Sequence, residues 1–179
     1  LESNTNESTT SSVPNPICVS SLSANLFKNG LSFVFWISKS YLIDNYPQAL
    51  LELHEERQAK KLQSFKLQMV EDNLRVMIKS TSTFLDFNFD VKIEYNKWAM
   101  IAITLVPIQD NKNSSILSLY INQEKTNSQK IEIQFTPNSP VNCIISNSKM
   151  IPKYINVDSH LISNFILSSP LTDEEITNI

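Results

Sequence analysis

The chain has 179 residues, 41% hydrophobic and 18% charged, with a net charge of −3. That length suits one domain whose core needs no cross-links. A net negative chain with only Arg57 and Arg75 as bidentate cations lacks the basic face that nucleic acid requires. Gly30 is the one glycine, which rules out a P-loop and a GxGxxG fingerprint, since both need several glycines for close backbone approach. Turns then fall to Asn, Asp, Ser and Pro, and without Asn-Gly pairs the loops are expected to exceed two residues.

Residues 1–15 are Ser, Thr, Asn and Glu with little to bury and read as a disordered linker, which places the domain at 16–179. Structure is expected to begin at Pro16-Ile17-Cys18-Val19. Residues Leu31 to Ile37 form the first clear strand, with Phe33, Phe35 and Ile37 on one face and Val34 and Trp36 on the other. Large side chains on both faces mark it as a central strand covered on each side. Residues 46–64 leave two readings open. Pro47 and the charged run His54 to Lys61 are good helix chemistry, but the apolar stripe stops at Leu53, which favours a strand at 49–53 followed by a charged loop.

Phe65, Leu67 and Met69 alternate with polar residues, Glu71-Asp72-Asn73 turns the chain, and Leu74, Val76 and Ile78 alternate again, a hairpin pattern. Leu85, Phe87, Phe89, Val91 and Ile93 read as a half-buried strand with Asp86, Asn88 and Asp90 on its wet face. An apolar run from Trp98 to Val106 ends at Pro107. A loop at 109–114 precedes a strand at Ile116–Ile121. A second loop at 122–129 precedes one through Ile131, Ile133 and Phe135. Val141–Ile145 and Leu161–Leu167 complete the strands, and Thr172-Asp173-Glu174-Glu175 has the form of a capping box opening a short helix. About ten strands without a long helix between them define an all-β sandwich or barrel.

Cys18 and Cys143 have no CxxC spacing, so neither a zinc site nor a disulfide framework follows. Two buried thiols in a reducing compartment is the favoured reading, and one bridge between terminal strands the alternative. No run approaches the ~18 apolar residues of a membrane span. The chain opens on Leu without a basic-and-apolar leader and reads as a piece of a longer protein. Sequons at Asn6 and Asn113 are no more than chance supplies in so much Asn, Ser and Thr.

The ordered set of strands resembles the concanavalin A-like, laminin-G-type jelly roll. The residues that carry the likeness are Ser32-Phe33-Val34-Phe35-Trp36-Ile37, then Leu50-Leu51-Glu52-Leu53, the Phe65–Lys79 hairpin, and Trp98 before its apolar strand. Leu119-Tyr120-Ile121-Asn122-Gln123 follows, with Gln123 where that family usually has Gly, and the set ends on Ser168 to Ile176. The resemblance implies an antiparallel two-sheet β-sandwich with a short C-terminal helical turn. Lectins of this fold carry Gly-rich loops and a calcium-holding Asp/Asn set, and neither pattern is evident. Among intracellular proteins with this jelly roll are the BEACH-family trafficking proteins. That narrower likeness implies a cytoplasmic scaffolding domain, membrane-peripheral through its full-length protein, that contacts a protein partner or neighbouring domains of its own chain. The alternative is a carbohydrate-binding lectin module of a secreted or lumenal protein.

A catalytic constellation is not apparent, and neither an enzymatic activity nor a cofactor is expected. The HExxH pattern after His54 fails at Gln58, and Asp158-Ser159-His160 lacks the GxSxG elbow of a serine nucleophile. Glu52 and Glu132 are single, without the paired carboxylates of glycosidases. Glu55, Glu56, Asp173, Glu174 and Glu175 read as solvated charges. Asp86, Asn88 and Asp90 have the opening spacing of a calcium loop, but Val91 and Lys97 stand where Gly and Glu are required. Lys60-Lys61 offers anionic lipid only a weak attraction. Phe27, Tyr41, Tyr46, Tyr95 and Tyr154 fall at strand ends or loops, where exposure would mark a binding patch and burial a loop packed on the core.

Overall fold

The computed structural model describes residues 17–39, 48–55, 63–70, 73–147 and 160–179. Among them are eleven strands: β1 Ile17–Leu22, β2 Leu31–Lys39, β3 Gln48–Glu55, β4 Ser64–Val70, β5 Asn73–Lys79, β6 Phe84–Asp90, β7 Trp98–Ile108, β8 Asn111–Ile121, β9 Glu124–Ile131, β10 Val141–Asn147 and β11 His160–Ser168. One 3₁₀ turn, Ala24–Phe27, follows β1, and one helix, α1 Asp173–Thr177, closes the chain. The strands form a six-stranded sheet in the order β1-β10-β3-β4-β5-β6 and a five-stranded sheet in the order β11-β2-β7-β8-β9. Every pairing is antiparallel. The expected antiparallel two-sheet sandwich is thus the observed one.

The period-two alternation decides which side chains meet between the sheets. Phe33, Phe35 and Ile37 of β2 and Ile101, Ile103 and Leu105 of β7 face Leu51 and Leu53 of β3, Phe65 and Leu67 of β4, and Val76 and Ile78 of β5 in one continuous core. Strand β2 lies between β11 and β7, as its aromatics on both faces required. Its outer residue Val34 joins Met100, Ala102 and Tyr120 in a second, smaller cluster under Ile176 of α1. Small hydroxyl residues Ser32, Thr104 and Ser118 stand in register on that outer face and are buried. The chain before α1 is tied to them, the Leu171 N–H donating to Ser32 Oγ at 2.8 Å.

Several loop expectations are corrected. β7 and β8 are joined by a two-residue turn at 109–110, and β8 and β9 by Asn122-Gln123. Both turn residues of the second hairpin have positive φ, 48° and 72°, which is the type I′ requirement met without glycine. The expected loops therefore shrink: β8 begins at Asn111, and most of 122–129 is strand β9. Strand β9 escaped detection because Glu124 to Lys130 are all exposed, leaving no alternation to read. Conversely, β6 stops at Asp90, and Val91, Ile93, Ile133 and Phe135 are buried outside any strand. β7 runs past Pro107 to Ile108, with a bulge at that point of its pairing with β8.

Strand β3 covers the expected 49–53 and extends to Glu55; the helix-or-loop question at 56–62 lies outside the described residues, as do the linker 1–15, the turn Glu71-Asp72, and Tyr41, Tyr46 and Tyr154. Glu55 is not a solvated charge: it is 3% exposed, and its Oε1 accepts the Asn138 N–H at 3.0 Å. Gln63 accepts the Thr136 N–H at 3.0 Å in the same way, so two buried polar side chains close that end of the sandwich over Phe135. Phe27 is fully buried. Cys143 is buried on the inner face of β10, and the backbone register sets Cys18 opposite Ile144 and Val19 opposite Cys143.

Candidate functional site

Large apolar side chains that stay in water mark surfaces that contact something else. Trp98, the first residue of β7, is 52% exposed because of how its neighbours end. It stands opposite Ser38 of β2, whereas β8 pairs with β7 only from Ile101 onward. Met100 would therefore lose its backbone partner on the β8 side. Asn122 replaces it: the Asn122 N–H donates to the Met100 carbonyl at 2.9 Å, and the Asn122 Oδ1 accepts the Met100 N–H at 3.0 Å. With its oxygen committed, Asn122 has its side-chain NH₂ to offer a ligand.

Trp36, Trp98, Met100, Asn122, Gln123 and Ile179 line an open cleft of about 310 Å³ at this end of the five-stranded sheet. Trp36 is half-buried and Met100 forms the floor. A second cleft of about 420 Å³, lined by Asp90, Lys92, Ile121, Asn122, Glu124 and Thr126, shares Asn122 with the first. The β8–β9 turn is therefore the ridge between an aromatic cleft and a charged one.

Helix α1 is fixed beside the cleft by a polar clasp. The Tyr120 hydroxyl donates to Asp173 Oδ1 at 2.6 Å, and Lys125 Nζ donates to both Asp173 oxygens at 3.1 Å. Lys125 also lies 5.3 Å from the centre of the Tyr120 ring. The hydrogen bond from Tyr120, with that from Lys125, holds the Asp173 carboxyl below its ordinary range. Burial, and then Asp173, pushes the Tyr120 phenol up, and Asp173 raises Lys125. The capping box is formed, with Glu175 N donating to Thr172 Oγ1 at 3.2 Å and Thr172 N to Glu175 Oε2 at 2.7 Å. Asp173 and Glu175 stay exposed at the helix start, as expected, and serve there as a clasp and a cap.

The other candidates stay apart. His54 lies on the outer face of β3 and Glu132 is exposed beyond β9. Asp158 and Ser159 lie outside the described residues, and His160 opens β11 opposite Lys39. Asp86 is taken by Arg75 in a two-pronged pair at 2.9 and 2.5 Å, so the Asp86, Asn88, Asp90 row lines a solvent face as its alternation indicated. Among the described residues no group of three His, Cys, Asp or Glu could hold a metal ion, and no helix is long and apolar enough to cross a membrane. Trp98 was visible in the sequence as part of the jelly-roll resemblance. Asn122 and Gln123 were visible only as an irregular strand end, and their place in the cleft depends on a turn the missing glycine had argued against.

No family model matches the chain, and no curated protein matches it. Its fold is shared with solved structures. The receptor binding domain of botulinum neurotoxin mosaic serotype C/D, which carries a tetraethylene glycol molecule on its Hcn sub-domain, is 21% identical with a TM-score of 0.66 over 92% of this chain and 41% of that one. Botulinum neurotoxin type C, whose cell entry depends on interaction with two ganglioside molecules, is 19% identical with a TM-score of 0.59 over 86% and 36%. The binding domain of botulinum neurotoxin DC in complex with rat synaptotagmin II is 18% identical with a TM-score of 0.60 over 91% and 38%. At these identities the likeness is one of fold, a β-sandwich jelly roll, and the chain spans about two fifths of the length of those structures.

Proposed function

We propose that this domain is a non-catalytic binding module whose contact surface is the Trp98 cleft, and that it takes a neutral sugar ring there. The observation that carries the reading is the half-exposed Trp98 indole flanked by the side-chain amides of Asn122 and Gln123. An indole face offers apolar area to the C–H face of a pyranose, and amides offer donors and acceptors to its hydroxyls. Convergent polar groups around an apolar floor are the general form of a small-ligand site. The neighbours' ligands, gangliosides for one and synaptotagmin for another, support a binding module of either the glycan or the protein class.

A protein ligand is the second reading, favoured by Ile179, which is also exposed and extends the apolar rim. The BEACH-type cytosolic setting rests on composition alone and does not bear on the choice of ligand. The domain limits 16–179 belong to the same proposal.

Screening the purified chain on a glycan array, followed by calorimetry on any hit, tests the glycan reading. Trp98→Ala is expected to reduce affinity about tenfold or more and to leave the melting temperature nearly unchanged, because the side chain is not in the core. Glycan binding that survives this change would place the site elsewhere.

A further inference from the structure

A sandwich has four edge strands, and each presents unpaired backbone groups to which another strand can add. Three of these edges carry a device that blunts them. β1 is bulged in its pairing between Val19 and Leu22, with Ser21 at φ 59°. β11 is bulged between Ser163 and Phe165. β9 is polar and exposed from Glu124 to Lys130, carries Lys125 and Lys130, and has its own register shift.

The fourth edge, β6, is unbulged, and its polar residues Asp86, Asn88 and Asp90 are confined to one face. It pairs with β5 over seven consecutive residues without a shift. It contains no Pro, Gly or Lys, and no described element pairs with it on its outer side. Its inner-face residues Leu85 and Phe87 are left half-buried, and Phe84 is 59% exposed. Length, regularity and apolar alternation together are the signature of an edge available for pairing.

We propose that β6 pairs antiparallel with β6 of a second copy of this chain, with the two-fold axis at Phe87. The strand's own sequence, nearly palindromic about Phe87, favours this occupant. The register sets Phe87 opposite Phe87, Leu85 opposite Phe89, Asp86 opposite Asn88 and Phe84 opposite Asp90, so no carboxylate faces another across the axis. Asp86 is already neutralised by Arg75. The half-buried Leu85 and Phe87 of both copies fall on the same side of the joined sheet and cover one another. An isologous contact of this kind closes on itself and does not propagate.

Sedimentation velocity over a micromolar-to-millimolar series tests the pairing, with two substitutions at Phe84, whose exposure makes changes tolerable. Phe84→Lys sets an ammonium opposite Asp90 of the other copy and is expected to tighten association about tenfold; Phe84→Glu sets a carboxylate there and is expected to weaken it by a similar factor. Within one copy Phe84 stands opposite Lys79, so the effects on monomer stability run the other way, and thermal melting separates them from association. A wild-type chain that stays monomeric throughout overturns the proposal. So does a dimer that responds equally to both substitutions.

Discussion

A Cβ at position 30 would sit 2.0 Å from the Leu105 carbonyl oxygen, 2.8 Å from Pro107 Cδ and 3.0 Å from Pro170 Cγ, and the φ there is 103°. The chain keeps its one glycine where neither the backbone conformation nor the space admits a side chain. Gln123 poses the first of these problems without the second. Its φ of 72° is left-handed, but the turn projects into solvent and the side chain has room, so glutamine is held there only at a conformational cost. Relieving that strain is expected to stabilise the domain: Gln123→Gly should gain about 1 kcal/mol in urea denaturation. The same change removes one amide from the cleft, so stability is expected to rise as ligand affinity falls. Position 123 is also where the jelly-roll resemblance places glycine, which makes the glutamine a departure with a local physical cost.

At the scale of elements, α1 is five residues long and cannot be stable alone. Its place depends on Ile176 in the small outer cluster, on the Thr172–Glu175 box and on the Asp173 clasp. The clasp gives that dependence a pH signature. Asp173 is depressed when folded, so its contribution is present above the ordinary carboxylate pKa and is lost as pH falls through the folded value. Tyr120 and Lys125 are raised when folded, so their contribution is present below their ordinary values and is lost as pH rises through the folded ones. The helix is therefore expected to be most firmly docked between the carboxylate and phenol ranges and to loosen at both extremes. Hydrogen exchange of the amides at 176–179 across pH measures this. Asp173→Asn should speed exchange at neutral pH and flatten the acid limb; an unchanged profile would mean that Ile176 alone holds the helix. Solvent screening makes the effect modest, since Asp173 is largely exposed.

For the molecule as a whole, the legible part of the fold was the part built on alternation. The β2, β4, β5 and β7 stripes supply most of the core, and each was readable because one face is wet or flanked by turns. Strand β9 was illegible because it is polar on both faces, and Glu55 because nothing local distinguishes a buried carboxylate from a solvated one. The cleft was half legible: Trp98 stood out, whereas Asn122 reaches Met100 only once β7 and β8 are paired. Phe135 is the sharpest case of a residue whose role is tertiary. It lies in no strand, yet it is 1% exposed. Its ring stands 6.2 Å from Phe27, edge-on at 74°, and 6.2 Å from Phe65. It thereby ties the 3₁₀ turn after β1 and the chain between β9 and β10 to the middle of the six-stranded sheet. Phe135→Ala is expected to cost about 3–5 kcal/mol in global stability, as a fully buried phenylalanine in a central strand would. Because the Phe27 contact is direct, the Phe27→Ala, Phe135→Ala cycle should show a coupling of about 0.5–1.5 kcal/mol. Both values follow from chemical denaturation of the four proteins. Additive losses would mean that the two rings fill separate parts of the core.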